Sequence, residues 1–297
     1  IHSQVLSDDC GSDVWFKMEN LQATGSFKAR GALNKLMSLT DDQLKKGVIT
    51  ASAGNHAQGL AYAASLKKVS AKIVVPENTP QTKRLGIKRL GAELIVHGAT
   101  YDDAEEYAFG LAEETGRLFV SAFEDDEIIA GQGTAALEAF LEIADFDHVI
   151  VPAGGGGLLC GVALVAKAID PSIQVIGVQT EASPPWYYSF QAGELVDVTY
   201  NDSYAEGLHG GISQANLDLA LKVVDDIILV KEESIASAVY WMADQHQQMI
   251  EGSGVAGIAA FQEGQLDHLQ GKKVLIMITG GNIDVDRMVQ FANKFQS

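Results

Sequence analysis

The sequence predicts an α/β protein built from two open, twisted parallel sheets. Three observations carry that expectation. Short apolar runs alternate with helical patterns between Val48 and Val120, and the alternation resumes between Thr134 and Ile278. Loops rich in glycine or small polar residues fall directly after several of those runs. Strands alternating with helices at this spacing belong to parallel sheets covered on both faces. Ligands of such sheets bind beyond the carboxyl ends of the strands, so those loops are the places to look for chemistry.

Taken in order, Val48-Ile49-Thr50 is a short strand that ends in the turn Ser52-Ala53-Gly54-Asn55-His56, and an Ala-rich helix follows from Ala57 to Leu66. Ala71 to Pro76 is a buried strand with a helix from Pro80 to Leu90 behind it, and Glu93 to His97 is a third strand with its helix from Asp102 to Thr115. Leu118-Phe119-Val120 closes the first series. The second begins with a helix from Thr134 to Ile143 and a strand from His148 to Pro152 that runs into Ala153-Gly154-Gly155-Gly156-Gly157. Leu158 to Ile169 has few polar positions and reads as a buried helix; Val175 to Val178, Ile227 to Val230 and Lys273 to Ile278 are the remaining strands. No repeat or low-complexity tract interrupts the pattern, so any domain boundary is topological.

A length of 297 residues fits one large or two moderate domains, and 47% hydrophobic residues provide for a substantial core. Lys plus Arg number 21 against 39 Asp plus Glu, a net charge of −18, which disfavours nucleic acid and anionic membrane surfaces as partners. Cys10 and Cys160 make neither a disulfide framework nor a zinc cluster, and a reducing cytoplasm is expected. There is no basic-then-apolar leader and no run long enough to span a bilayer; the chain opens at Ile1.

The stretch Glu19 to Ala32 places Lys28 behind a Gly-Ser-Phe turn and ahead of small residues with helical character. A lysine that attacks a carbonyl needs such a packed, partly desolvated setting to lower its pKa, although the stretch alone also reads as a helix-start lysine facing water. Gly154 to Gly157 end a strand and open a helix, where backbone N–H groups and the helix N-terminus together favour a phosphate. Neither a Gly-x-Gly-x-x-Gly nor a P-loop pattern can be drawn through them, and a flexible turn is the plainer reading. Ser52 to His56 offers N–H donors for a carboxylate and the Asn55 amide for a hydroxyl, or else is an ordinary polar turn. Thr279-Gly280-Gly281-Asn282 puts a hydroxyl at the end of the last strand, able to donate to a neutral ring nitrogen. Glu251 to Gly254 and Glu206-Gly207 each read as a helix start or a loop.

Together these stretches resemble the pyridoxal-phosphate enzymes of fold type II, the tryptophan synthase β-like fold. Within them they resemble the threonine/serine dehydratase and serine racemase group, and most closely the threonine dehydratases. The matching segments are Gly25 to Ala32, Ser52 to Gly59, Gly131-Gln132-Gly133-Thr134, Gly154 to Leu158 and Gly280 to Asp284, in family order along nearly the whole chain. The resemblance implies pyridoxal 5'-phosphate on Lys28 as a Schiff base, with Phe27 against the ring and the phosphate on Gly154, Gly155, Gly156, Gly157 and Leu158. It implies Asn55 at the ring 3-hydroxyl, Thr279 at the pyridine nitrogen, and Ser52, Ala53, Gly54, Asn55 and His56 at the substrate carboxylate.

The resemblance further implies a small domain at 47–122 inserted into a large one made of 1–46 and 123–297, with the active site between them. The expected reaction is α,β-elimination: L-threonine to 2-oxobutyrate and L-serine to pyruvate, each with ammonia. The expected setting is cytoplasmic amino-acid metabolism, either isoleucine biosynthesis or threonine catabolism, in a homo-oligomer (dimer or tetramer). Two positions depart from the racemases. Ala53 stands where they carry the serine that protonates the opposite face of Cα, and Gln179 stands where they place a metal-binding Glu, with Pro184 and Pro185 near its later ligand; no metal is expected. The alternatives are elimination on another 3-hydroxy amino acid such as 3-hydroxyaspartate, serine racemisation, β-replacement, and a non-catalytic amino-acid sensor. The intact Lys28 argues against the last.

Overall fold

A computed structural model describes residues 1–295. The chain opens with α1 (Gln4–Cys10), β1 (Asp13–Met18), α2 (Lys28–Ser38) and α3 (Asp41–Lys46). A regular alternation follows: β2 (Val48–Ala51), α4 (Asn55–Lys67), β3 (Ala71–Val75), α5 (Gln81–Arg89), β4 (Glu93–Val96), α6 (Tyr101–Thr115) and β5 (Leu118–Phe119). Then come α7 (Asp126–Glu142), β6 (His148–Pro152), α8 (Gly157–Ile169), β7 (Gln174–Thr180), α9 (Pro185–Ala192) and α10 (Gln214–Val223). The chain continues with β8 (Asp226–Val230), α11 (Glu232–His246), α12 (Ala256–Gln262), β9 (Lys273–Ile278) and α13 (Val285–Phe295).

The strands form two sheets, β4-β3-β2-β5 and β1-β9-β6-β7-β8, in which the neighbours pair in parallel. Both sheets are covered on both faces, as their apolar runs require. In the smaller sheet Val48, Ile73 and Val75 pack with α2 and α4 through Leu36, Leu60 and Ala64, while Ile49, Ala51 and Val74 pack on Ala104, Ala108 and Ala112 of α6. In the larger, Val149, Val151, Leu275 and Met277 meet α7 and α8, and Ile150, Ile176, Val178 and Ile276 meet α11 and α12. Each buried Val, Leu, Ile or Met among them contributes about 1.5–3 kcal/mol by leaving water.

α2 lies between α4 and α7, and its first residue is Lys28. Backbones meet there without intervening side chains. A Cβ on Gly59 of α4 would stand 2.9 Å from the carbonyl carbon and oxygen of Lys28, and one on Gly131 of α7 would stand 2.6 Å from the Cα of Gly31. Arg30, one turn into α2, is tied down by ions: its Nε and Nη2 donate to the two oxygens of Glu19, a fully buried residue, at 2.7 and 2.8 Å, and its Nη1 donates to Glu138 at 2.8 Å.

The sequence reading differs from the structure in identifiable places. α7 begins at Asp126 rather than Thr134, because Asp125 caps it by accepting from Glu127 N and Ile128 N at 2.9 and 3.2 Å. Gly131 and Gly133 inside that helix look like breakers in sequence but are what lets it approach its neighbours. β1 is an edge strand whose short apolar alternation, Val14 and Phe16, is diluted by Asp13 and Lys17, and the sequence pattern gives it no counterpart. Nor does it separate α9 to α13 from loops; in α12, for instance, the run from Ala256 to Phe261 is buried on all sides and so shows no periodic stripe.

Candidate active site

The carboxyl ends of β2, β6 and β9 present the loops Ser52–Gly54, Ala153–Gly156 and Thr279–Asn282 around the start of α2. The turn before α2 is stitched to the loop after β9. Phe27 N donates to Thr279 O at 3.1 Å, Gly281 N donates to Gly25 O at 2.9 Å, and Ser26 bridges Gly280. Lys28 is thereby fixed against the end of β9.

Its amine donates to the carbonyl of Ala122 at 2.8 Å and stands 5.1 Å from the centre of the Phe27 ring. The residue is only partly covered by surface area, yet protein packs so closely around the amine that desolvation is the strongest influence on it. Burial lowers its pKa from 10.5 to about 8, with the nearby Glu251 opposing the shift. About a tenth of such an amine is free at pH 7, several hundred times the fraction of an ordinary lysine. The rate at which Lys28 is captured by a carbonyl reagent should therefore rise with pH and level off above about 8; a rate still climbing at pH 10, followed by borohydride trapping, would mean an unperturbed lysine.

Ala122 leads to Phe123, whose ring lies on Gly155, where a Cβ would come within 2.3 Å of it. Gly156 adopts φ +101°, and a Cβ there would meet the fully buried Trp186 ring at 2.5 Å. The carbonyl of Gly154 accepts from Trp186 Nε1, and that of Gly155 accepts from Asn216 Nδ2 at 2.8 Å. Among the described residues no hydrogen bond uses the N–H groups from Gly154 to Leu158, and α8 starts there without a side-chain cap. Carbonyls turned away and N–H groups unspent at a helix N-terminus make an anion cradle. Leu158 itself points into the core.

The loop after β2 offers a second, smaller cradle. α4 begins at Asn55 with no side-chain cap, which leaves its first N–H groups open. Ser52 contributes less than its sequence suggests: its N–H is spent on Val74 O at 3.1 Å and its hydroxyl accepts from Gly54 N at 3.3 Å. His56 is buried, with Nε2 3.1 Å from the carbonyl of Val120; because a carbonyl only accepts, that nitrogen carries the proton. Burial first, then the Lys28 charge, lowers its pKa to about 3. The ring is therefore neutral, and His56 can serve an anion only through its backbone. Ala53 packs against the core of the smaller sheet and presents a methyl group.

Two residues absent from the sequence-derived site complete it. Glu251 accepts from Asn55 Nδ2 at 2.7 Å, its backbone N donates to Gly280 O at 3.1 Å, and burial raises its carboxyl to about 7. Asn282 Nδ2 donates to Asn55 Oδ1 at 2.7 Å. Both stretches are visible in sequence as glycine-flanked polar residues, but nothing local says that they converge on Asn55. A further ion pair, Lys83 to Glu206 at 2.7 Å, joins α5 to the turn Glu206–Leu208, whose Gly207 carbonyl backs Gly154. Thr279 is buried at the end of β9 with its carbonyl on Phe27 N. Gln179 lies apart from this group in β7, where its oxygen accepts from Trp186 N at 2.9 Å.

Comparison with known proteins follows the same lines. A family model described as pyridoxal-phosphate dependent enzyme matches residues 1–280. L-threonine ammonia-lyase of Thermotoga maritima is 43% identical over 294 residues, covering 99% of this chain and 73% of that protein. The catabolic L-threonine dehydratase of Escherichia coli is 38% identical over 290 residues, covering 97% and 88%. The solved structure of the processed form of threonine deaminase isoform 2 from Solanum lycopersicum superposes with a TM-score of 0.94 at 33% identity, covering 99% of this chain and 86% of that one.

Proposed function

The chain belongs to the pyridoxal-phosphate-dependent enzyme family, and from that premise we propose that it is an ammonia-lyase converting L-threonine to 2-oxobutyrate and L-serine to pyruvate. The observation that carries the reading is Lys28: a closely packed amine with its pKa near 8, set between an anion cradle and a second helix N-terminus. A binding module needs no amine tuned in this way.

The residues present fit pyridoxal phosphate. Its phosphate suits the unspent N–H groups of Gly154 to Leu158, where no side chain could be accommodated on Gly155 or Gly156. Lys28 would hold the aldehyde, Phe27 would lie against the ring, Asn55 would serve the ring hydroxyl and Thr279 the ring nitrogen. When bound, the cofactor supplies an electron sink that acidifies the substrate Cα–H. The open N–H groups at the start of α4, among them those of Asn55 and His56, orient the substrate carboxylate, with Ser52, Ala53 and Gly54 as the wall beside it. Lys28 takes the α-proton as general base, which its lowered pKa favours near neutral pH. At the ring nitrogen Thr279 would supply a neutral hydroxyl, a hydrogen-bond donor, in place of a carboxylate.

We propose that two domains, 47–122 and the remainder (1–46 with 123–297), close on the substrate. In support, β2 to β5 fall between residues 48 and 119 and the other strands lie outside. The free thiols at Cys10 and Cys160 suit a reducing cytoplasm. The metabolic setting is threonine catabolism or isoleucine biosynthesis, and the expected assembly is a homo-oligomer. The direct test is oxoacid release from L-threonine and L-serine by the protein loaded with pyridoxal phosphate. Silence on both, with turnover of 3-hydroxyaspartate, would move the assignment to that substrate.

Ala53 decides between elimination and racemisation. With no exchangeable proton on its side of Cα, Lys28 works one face alone. Ala53→Ser should raise the ratio of D-serine to pyruvate formed from L-serine by about tenfold or more, within the range that one positioned acid or base contributes. Chiral chromatography reads the ratio; an unchanged value would show that residue 53 does not set the outcome.

A further inference from the structure

A main-chain carbonyl can only accept a hydrogen bond, and that fixes more of this site than one contact. Asn282 Nδ2 stands 2.9 Å from the carbonyl of Thr24, so the nitrogen end of that amide faces Thr24. The same nitrogen stands 2.7 Å from Asn55 Oδ1 and gives its second N–H there. Asn55 must then turn its oxygen to Asn282 and its nitrogen to Glu251, whose Oε1 lies 2.7 Å away. The opposite orientation would set nitrogen against nitrogen at Asn282, and at Glu251 it would be met only by a protonated carboxyl. Asn282 thus donates both ways, to Thr24 and to Asn55, and Asn55 in turn donates to Glu251, a relay whose direction is set at Asn282 and which ends in the loop after α11.

Asn55 has one N–H left once Glu251 is served. On the cofactor reading above, we propose that Asn282 and Glu251 are positioning residues that lock Asn55 as a donor toward the ring hydroxyl oxygen, holding that oxygen as an anion. A donor stabilises the charged form of an oxygen, whereas a flipped amide would offer it a lone pair and favour the neutral hydroxyl. An anionic ring oxygen keeps the balancing proton on the Lys28 nitrogen, the form that absorbs visible light. The relay therefore sets the colour of the loaded protein as well as its hold on the cofactor.

Asn282 is exposed to solvent, so substitutions there leave the core intact. Asn282→Asp is the sharpest test, because a carboxylate of the same shape cannot donate to Asn55 and instead draws its nitrogen round. The measurements are the ratio of visible to near-ultraviolet absorption and the Kd for pyridoxal phosphate, with melting of the cofactor-free protein as the folding control. The visible fraction should fall about threefold or more and Kd rise about tenfold, the scale of one hydrogen bond to a charged acceptor. Glu251→Gln keeps an acceptor oxygen and should stay yellow, while Glu251→Leu should fade like Asn282→Asp. If both Asn282→Asp and Glu251→Leu fold, bind cofactor and match the wild-type spectrum and Kd, the relay is overturned and the cofactor assignment stands. A wild-type protein that develops no visible band with pyridoxal phosphate overturns the cofactor reading itself.

Discussion

Lys28→Ala should lower oxoacid release from L-threonine by about ten-thousand-fold or more and leave the protein colourless with pyridoxal phosphate. In the proposed roles of Lys28, one substitution removes both the covalent hold on the cofactor and the base that takes the α-proton, and neither has a substitute nearby. His56 is held neutral and faces Val120 through its protonated nitrogen. Glu251 is occupied by Asn55. The variant should fold normally, since the buried amine is a desolvation cost rather than a packing element. Oxoacid assays, absorption spectra and a thermal melt check the three parts. Retention of more than about a hundredth of the wild-type rate would show that another group can act as base.

Gly156→Ala should weaken pyridoxal phosphate binding by about a hundredfold while leaving the fold in place. Gly156 sits at φ +101°, where a Cβ carries backbone strain of about 1–3 kcal/mol. The added methyl also has no room, because the nearest atom belongs to Trp186, fully buried and bonded to the carbonyl of Gly154. Relief requires the loop to rotate, which turns the N–H groups of Gly154 to Leu158 away from a common centre. Equilibrium dialysis of the cofactor would measure the loss, and added inorganic phosphate should compete less well in the variant. Wild-type affinity would place the phosphate elsewhere.

How legible these features were depends on how local their causes are. Gly154 to Gly157 and Ser52 to His56 stand out in sequence because a strand, a turn and a helix start adjoin within a few residues. Lys28 stood out through its small neighbours, which turned out to be contact points: Gly59 meets its carbonyl and Gly131 meets Gly31. Glu251 and Asn282 were harder to recognise. Their proposed role is to orient Asn55, 196 and 227 residues away in the chain, and that arises only once the loops after α11 and β9 meet the start of α4. The start of α7 was hidden for the reverse reason, since the glycines that permit its packing look locally like the end of a helix. Sequence does not reveal that the Ser52 N–H extends the β2–β3 ladder, which leaves the hydroxyl hydrogen as the group it can offer a carboxylate.

The bare contact between Gly59 and the carbonyl of Lys28 has a mechanical consequence. α4 packs on the smaller sheet, and no compressible side chain separates it from the backbone of Lys28, the residue proposed to carry the cofactor. In the proposed closure of the two domains, a swing of that sheet would reach the lysine with no side chain to damp it. On that proposal the contact acts as a strain gauge, and cofactor fluorescence, followed in real time, should register domain closure without any added label.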